Sequence, residues 1–226
     1  MTDPLSIVKR RIENACKESD RSPSALTLIA VSKAHPAERL AELADQGQRD
    51  FGESYVQEAL PKLDALAKRG LVWHFIGPIQ SNKTRPIAER FDWVHSVDRL
   101  KIAERLSAQR PAERPPLNVC LEVNISGEAS KDGVAPVDLP ALAHTVAGLP
   151  RLRLRGLMAI PAPSADPVQQ RAAFRRLREL LGQLRADGLD LEVLSMGMSD
   201  DLEAAIAEGA THLRVGTALF GERLKP

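Results

Sequence analysis

The segment LTLIAVSK (residues 26–33) is a run of apolar and β-branched residues that ends in a lysine. Such a run is typical of a β-strand that is buried on both faces, as in a parallel sheet. A lysine in a partly desolvated pocket has a lowered pKa, and its neutral amine can form a Schiff base with an aldehyde. Lys33 could equally extend along the strand end to water. This segment alone leaves both interpretations open.

Outward from this segment, the chain alternates between predicted strands and predicted helices. The predicted strands are residues 26–33, 50–52, 72–77, 93–97, 117–123, 154–160, 191–196 and 213–215. A helix over 4–19 precedes them, and further helices are predicted over 36–46, 55–69, 83–90, 99–109, 139–147, 169–187 and 200–207. Strict alternation predicts parallel strands joined by helical crossovers.

Eight strand–helix units in a chain of this length predict an α/β protein with a single (β/α)₈ TIM barrel and an extra N-terminal helix, occupying residues 1–226 as one domain. An open doubly wound sheet is the competing architecture. It usually has a glycine-rich loop after its first strand, whereas SKAHP (residues 32–36) contains no glycine. The pattern therefore favours the barrel.

Composition narrows the classes of partner. Lys and Arg total 31 and Asp and Glu total 30, so the formal net charge of +1 gives no reason to expect binding to nucleic acid or to an anionic membrane. Cys16 and Cys120 lack metal-binding spacing, and the five histidines are scattered, so no metal site is expected. The amino terminus lacks a signal pattern, and no apolar run has membrane-spanning length. We expect a cytoplasmic monomer.

The last two predicted strands run into loops that suit a phosphate group. The segments SMGMSDD (residues 195–201) and RVGTALFG (residues 214–221) offer hydroxyls, backbone N–H groups and glycines that let an anion approach closely. Barrels commonly bind phosphate after their seventh and eighth strands. The alternative for either loop is an ordinary turn, with Ser199 as the N-cap of the next helix.

A set of short motifs, taken in order, resembles the YggS/PROSC family of pyridoxal phosphate homeostasis proteins over about residues 3–223. The motifs are AVSK (30–33), FGE (51–53), WHFIG (73–77), QSNK (80–83), VNISGE (123–128), GLM (156–158), LSMGMS (194–199) and RVGTALFG (214–221). The resemblance implies a fold like the amino-terminal barrel of alanine racemase. It also implies pyridoxal 5′-phosphate (PLP) as the cofactor. PLP-dependent apoenzymes are candidate partners, and whether PLP is delivered to them stays open at this point.

The same resemblance implies roles for individual residues. Lys33 takes the place of the family's Schiff-base lysine, and Arg214 that of the arginine facing the pyridine nitrogen. The positions that hold the phosphate are Ser195, Gly216 and Thr217, and Met158 falls near the cofactor. No residue is assigned a catalytic role. Position 54 departs from the family, which commonly has Asn where this chain has Ser54, so no contact is assigned there.

The residues argue against efficient catalysis. Arg214 can only donate hydrogen bonds and would favour an unprotonated ring nitrogen, which weakens the cofactor as an electron sink. Alanine racemase takes a second base, a tyrosine, from an additional domain. This sequence ends ten residues after Gly216 and its only tyrosine is Tyr55, so we expect no such domain.

We therefore predict a protein of intracellular PLP homeostasis that holds PLP as a Schiff base on Lys33 and buffers or delivers it, without efficient catalysis. Two alternatives remain. One is a PLP-dependent racemase-like or decarboxylase-like enzyme of low activity. The other is a phosphosugar-binding barrel in which Lys33 is an aldolase-type amine.

Overall fold

Eight parallel strands close into a barrel in which each strand pairs with the next one along the chain and the last pairs with the first. The computed structural model describes residues 3–128 and 132–221. The strands are β1 (Thr27–Val31), β2 (Asp50–Glu53), β3 (Val72–Phe75), β4 (Trp93–Val97), β5 (Leu117–Glu122), β6 (Leu152–Met158), β7 (Val193–Ser195) and β8 (His212–Val215). The predicted (β/α)₈ barrel is confirmed.

Helices cover the outside of the barrel. They are α1 (Pro4–Glu18), α2 (Ala37–Asp45), α3 (Val56–Ala65), α4 (Thr84–Arg90), α5 (Leu100–Gln109), α6 (Leu139–Ala147), α7 (Pro167–Ala186), α8 (Leu202–Ala207) and α9 (Thr217–Phe220). Short 3₁₀ helices lie at Pro23–Ala25, Ala67–Arg69 and Ser81–Lys83. In the part of the chain that the structure describes, no helix is both long and apolar enough to cross a membrane.

The extra N-terminal helix α1 is confirmed, and local chemistry explains its start. The Asp3 carboxylate accepts a hydrogen bond of 2.9 Å from the Ser6 backbone N–H. Pro4 occupies the first turn, where a backbone N–H would have no partner within the helix, so the missing N–H of proline costs nothing. Leu5, Val8 and Ile12 recur at helical spacing and are buried. This apolar face packs α1 against α8 and α9, beside the last two strands.

The strand register brings the predicted site residues to one rim of the barrel. Ala30 of β1 lies opposite Val215 of β8, and Val31 lies opposite Gly52 of β2. The carboxyl ends of these neighbouring strands therefore meet, and that rim is where barrel enzymes and binding proteins place their ligands. The residues that follow the strands, among them Lys33 and Thr217, face a common space.

The boundaries differ from the sequence prediction in ways that have physical causes. Strand β1 ends at Val31 rather than at Lys33, because Ala34 adopts the left-handed conformation with φ of 65° and turns the chain out of the sheet. Strand β6 ends at Met158, before Pro161. The four-residue helix α9 was not predicted, since one turn is too short to show a helical period.

Candidate functional site

A cavity of about 200 Å³ opens at the carboxyl end of the barrel. Four of the six residues predicted to bind the cofactor line it, namely Lys33, Arg214, Gly216 and Thr217. The other lining residues are Val31, His35, Ser54, Ile76, Ile160, Met198, Ser199, Asp200 and Gly221. The cavity thus combines an amine, a buried guanidinium and several hydroxyl groups with an apolar wall.

The backbone that carries Lys33 is held from both sides by a charged cluster, in which Lys62 and Glu53 are buried and Glu58 is partly exposed. Lys62 of α3 donates a hydrogen bond of 2.9 Å from Nζ to the carbonyl oxygen of Ser32 and another of 2.9 Å to Glu53 Oε1. The Ser32 hydroxyl donates to the same carboxylate oxygen at 2.6 Å. Beyond Lys33, the backbone N–H of Ala34 donates to Glu58, which also accepts from Lys62. These bonds fix the strained turn that aims Lys33 at the cavity.

Glu53, at the centre of this cluster, is fully buried at the end of β2. Burial raises the pKa of its carboxyl group, while the hydrogen bond and the charge of Lys62 act in the opposite direction. Its Oε2 atom has no hydrogen-bond partner among the described residues. The carboxylate is therefore compensated on one side only, and its stability in the core depends on Lys62.

Arg214 forms the floor of the cavity, at 4% exposure. Its Nη1 donates to Ser195 Oγ at 2.7 Å and its Nη2 donates to the carbonyl oxygen of Ala159 at 2.9 Å. Burial lowers the pKa of Arg214 to about 10, with the nearby carboxylates of Glu122 and Asp201 opposing the shift. The guanidinium is still a cation at neutral pH, and two of its N–H groups are held in fixed directions.

The two remaining predicted residues lie behind the cavity wall. Ser195 is fully buried at the end of β7, behind Arg214, and its Oγ is also 2.8 Å from His95 Nδ1. Met158 is fully buried at the end of β6 and packs in a small cluster with Cys120 and Val193. The structure brings neither side chain into the group that lines the cavity.

Ser199 is a site residue that the sequence prediction did not include. It lines the cavity beside Gly216 and Thr217, and its Oγ accepts a hydrogen bond of 3.3 Å from the Ala218 backbone N–H. The N-cap of α8 is Asp201, so Ser199 is not the helix cap that its sequence position offered as an alternative. In the sequence, the feature that could have identified Ser199 is a second hydroxyl residue in the loop after the seventh strand.

Glycine is required at one point of this loop. Gly197 has φ of 94°, and a Cβ atom there would lie 2.6 Å from Ala205 Cβ. The loop therefore turns tightly against α8 and brings Ser199 to the cavity. From the other side, Arg11 of α1 donates a hydrogen bond of 2.9 Å from Nη2 to the carbonyl oxygen of Ser199.

The sequence prediction also omitted two titratable residues near the cavity, His35 and Glu122. His35 lines the cavity and stacks on Phe220 of α9, with ring centroids 4.6 Å apart. Glu122, at the end of β5, is buried, and burial raises the pKa of its carboxyl to about 7, while the charge of Arg214 lowers it. Their positions follow from the turn after Lys33 and from the barrel register, which single-residue patterns do not reveal.

Comparisons with known proteins agree with the barrel fold. Residues 8–224 match the family model described as alanine racemase, N-terminal domain. A protein of Pseudomonas aeruginosa named "Pyridoxal phosphate homeostasis protein" is 64% identical over 99% of this chain and 96% of its own length. A protein of the same name from Escherichia coli is 53% identical over 97% of this chain and 95% of its own length. The solved structure of PipY from Synechococcus elongatus, with PLP bound, is 40% identical, has a TM-score of 0.83, and matches over 93% of this chain and 99% of its own.

Proposed function

Since the chain belongs to the family of pyridoxal phosphate homeostasis proteins, as its motifs predict, we propose that it binds PLP in the cavity at the barrel rim and serves intracellular PLP homeostasis. The observation that carries the proposal is the arrangement of Lys33, Arg214, Ser199 and Thr217 around one cavity. These groups match an aldehyde, a pyridine ring and a phosphate, which are the three functional parts of PLP.

Lys33 is the proposed covalent anchor. Its Nζ would attack the aldehyde carbon of PLP to form a C=N bond, and the aldehyde oxygen would leave as water. The anchored backbone on both sides of Lys33 favours this role, because it limits where the amine can point. A reversible bond of this kind lets the protein hold PLP and release it again.

The phosphate end is assigned to the loops after β7 and β8. Ser199 and Thr217 offer hydroxyl donors. Gly216 packs closely against β1, where a Cβ atom would lie 3.3 Å from the Val31 carbonyl oxygen, and it adds no side chain to the cavity. Hydrogen bonds from hydroxyls to a charged phosphate are shorter and stronger than neutral ones. Ser195, predicted from the family motif to hold the phosphate, would act through Arg214 from its position behind the cavity.

Arg214 supports a holding role rather than efficient catalysis. Bound PLP supplies an electron sink that is strongest when its ring nitrogen is protonated, usually against a carboxylate partner. A guanidinium only donates hydrogen bonds, so it stabilises the unprotonated nitrogen. Two of its N–H groups are already fixed by Ser195 and Ala159, which leaves others to face the ring.

One observation favours a second candidate function, a slow racemase-like exchange of amino-acid α-protons. His35 lines the same cavity as Lys33, so a second group able to accept a proton is present without Tyr55. The stacking of His35 on Phe220 restrains the ring. The second candidate is supported if amino-acid α-protons exchange into deuterated water at enzymatic rates and a His35→Asn variant loses the exchange.

Delivery of PLP to PLP-dependent apoenzymes, a monomeric state and a cytoplasmic location belong to the same proposal. In support of delivery, three apolar side chains near the rim are exposed: Tyr55 at 60%, Ile160 at 40% and Met198 at 36%. Light scattering tests whether the protein is monomeric. Reactivation of a PLP-dependent apoenzyme by the PLP-loaded protein tests whether PLP is delivered.

A titration with PLP tests the binding proposal. The wild-type protein is expected to develop visible absorbance that survives desalting. A Lys33→Ala variant should lose it while keeping its circular dichroism spectrum, and Lys17→Ala, which removes an exposed lysine of α1, should behave as wild type. Absorbance in Lys33→Ala equal to that of the wild type would contradict the assignment.

A further inference from the structure

A continuous chain of hydrogen bonds crosses the barrel interior behind the cavity. Arg214 Nη1 lies 2.7 Å from Ser195 Oγ, which lies 2.8 Å from His95 Nδ1. His95 Nε2 lies 2.9 Å from His74 Nδ1, and His74 Nε2 lies 3.0 Å from Asp50 Oδ1. This hydrogen-bond chain starts at the buried cation Arg214, at the carboxyl end of the barrel, and ends at the carboxylate of Asp50, at the start of β2.

The interior members of this chain are removed from water. Ser195, His74 and His95 are each 0% exposed, whereas the Asp50 side chain is 27% exposed. Burial, followed by the neighbouring His74, holds the pKa of His95 well below its ordinary value, so His95 is neutral. A neutral imidazole has one donor nitrogen and one acceptor nitrogen.

The groups at its two ends fix the direction in which hydrogen bonds are donated along this hydrogen-bond chain. The guanidinium of Arg214 only donates, so Ser195 Oγ accepts from it and retains its own proton for another partner. An ionised Asp50 carboxylate only accepts, so His74 donates from Nε2. A neutral His74 then accepts at Nδ1, His95 donates from Nε2, and His95 Nδ1 is left to accept the Ser195 proton.

The opposite direction is unfavourable. If His95 donated from Nδ1 to Ser195, its Nε2 would have to accept from His74 Nδ1. His74 would then need protons on both nitrogens to bond Asp50 as well, which makes a buried ion pair with a partly exposed carboxylate and adds the cost of removing that cation from water. Donation from Arg214 towards Asp50 satisfies every member with neutral rings.

We propose that His95 is a positioning residue for Arg214: by accepting the Ser195 proton, it turns that hydroxyl's lone pair towards Arg214 and fixes the guanidinium for the ring nitrogen of PLP. The effect on PLP rests on the function proposed above, whereas the direction of the chain does not. Cooperative polarisation along such a chain strengthens each of its bonds. It also commits the Ser195 proton, which is then not available to a phosphate group.

The direction is tested by ¹⁵N NMR of the histidine side chains in the full-length protein without PLP. Both His95 and His74 are expected to carry their proton on Nε2 and to have unprotonated Nδ1 atoms. Assignment uses the His95→Gln and His74→Gln variants. Protonation of His95 at Nδ1, or of both nitrogens of His74, would overturn the proposal even if PLP binds.

The positioning role is tested with a pair of variants at one position. His95→Leu removes both the acceptor and the donor, whereas His95→Gln supplies a carbonyl acceptor and an amide donor. The Leu variant is expected to show a shifted absorbance spectrum of bound PLP and about tenfold weaker PLP retention, the lower end of the effect known for residues that orient metal ligands. The Gln variant should recover much of both.

The matched control is His212→Leu. His212 is a third histidine of the barrel interior, at 8% exposure. Its ring packs beside those of His74 and His95, but its hydrogen bond goes to Thr211 and not to the hydrogen-bond chain. Its variant should keep the spectrum of bound PLP. A folded His95→Leu variant with the wild-type spectrum and retention would refute the positioning role and leave PLP binding intact. Failure of the wild-type protein to bind PLP would refute the proposed function, with the NMR result still deciding the direction of the chain.

Discussion

Lys62 Nζ donates a hydrogen bond of 2.9 Å to the carbonyl oxygen of Ser32, the residue immediately before Lys33. The same ammonium group bonds Glu53 at 2.9 Å and Glu58 at 2.6 Å. Because Glu58 also accepts from the backbone N–H of Ala34, both neighbours of Lys33 are tied to one charged cluster. The direction of the proposed anchor therefore depends on side chains of β2 and α3.

Replacement of Lys62 tests this dependence. Lys62→Met leaves the buried Glu53 carboxylate without its cation, so the free energy of unfolding should fall by about 3–5 kcal/mol. PLP retention should also weaken, because the turn at Ser32 and Ala34 loses its support. Urea denaturation and equilibrium dialysis measure the two effects. The control is Lys68→Met, an exposed lysine just after α3, and equal stability of the two variants would contradict the account.

The phosphate assignment predicts unequal effects at three hydroxyls. Ser199→Ala and Thr217→Val each remove one charge-assisted hydrogen bond, of about 1.5–3 kcal/mol, so PLP retention should weaken about tenfold or more. Inorganic phosphate should also compete less well in these variants. Ser195→Ala should leave phosphate competition unchanged, and Ser24→Ala, at an exposed site, is the control. If Ser195→Ala impairs phosphate competition as Ser199→Ala does, Ser195 contacts the phosphate directly.

The N-terminal helix should influence the same loop. Arg11→Met removes the bond of 2.9 Å to the Ser199 carbonyl oxygen, so we expect PLP retention to weaken several-fold. Glu203→Gln is the matched control, because it removes the charge that pairs with Arg11 and leaves the Ser199 bond in place. That pair is partly exposed and contributes little to stability. Equal loss of PLP retention in both variants would show that the ion pair, and not the bond to Ser199, matters.

Glu122 should make stability depend on pH. Burial raises the pKa of its carboxyl from 4.5 to about 7, so between these values the folded chain holds a proton that the unfolded chain has released. Stability conferred by this group therefore decreases as pH rises through that window, by at most about 3 kcal/mol. The wild type minus Glu122→Gln difference in unfolding free energy, measured in urea, should fall between pH 5 and pH 8. A difference that does not change with pH would contradict the shift.

The barrel and its ligand-binding rim could be predicted from sequence because they follow from local patterns. Apolar strands alternate with helical periods, and the loops after the seventh and eighth strands carry small polar residues. Which serine of the seventh loop faces the cavity could not be predicted so easily. Ser195 turns inward to Arg214, and the left-handed turn at Gly197 brings Ser199 to the wall instead.

Residues that reach the site from other helices and strands could not be predicted from local sequence patterns. Lys62 reaches the Ser32 carbonyl oxygen from α3, outside the barrel strands. His95 and Ser195 form a hydrogen bond across the barrel although they are a hundred residues apart in sequence. Such pairs arise from register and from side-chain direction. A single sequence shows neither, although each polar residue in an apolar strand, as at His74 and His95, signals that a buried partner must exist.

The most direct test of the central claim is to map the lysine that holds PLP. The PLP-loaded protein is reduced with borohydride, digested, and analysed by mass spectrometry. A phosphopyridoxyl group is expected on Lys33, and it should be lost from that peptide in Lys33→Ala. A label confined to another lysine, or reduction that leaves every lysine unmodified although PLP is bound, would contradict it.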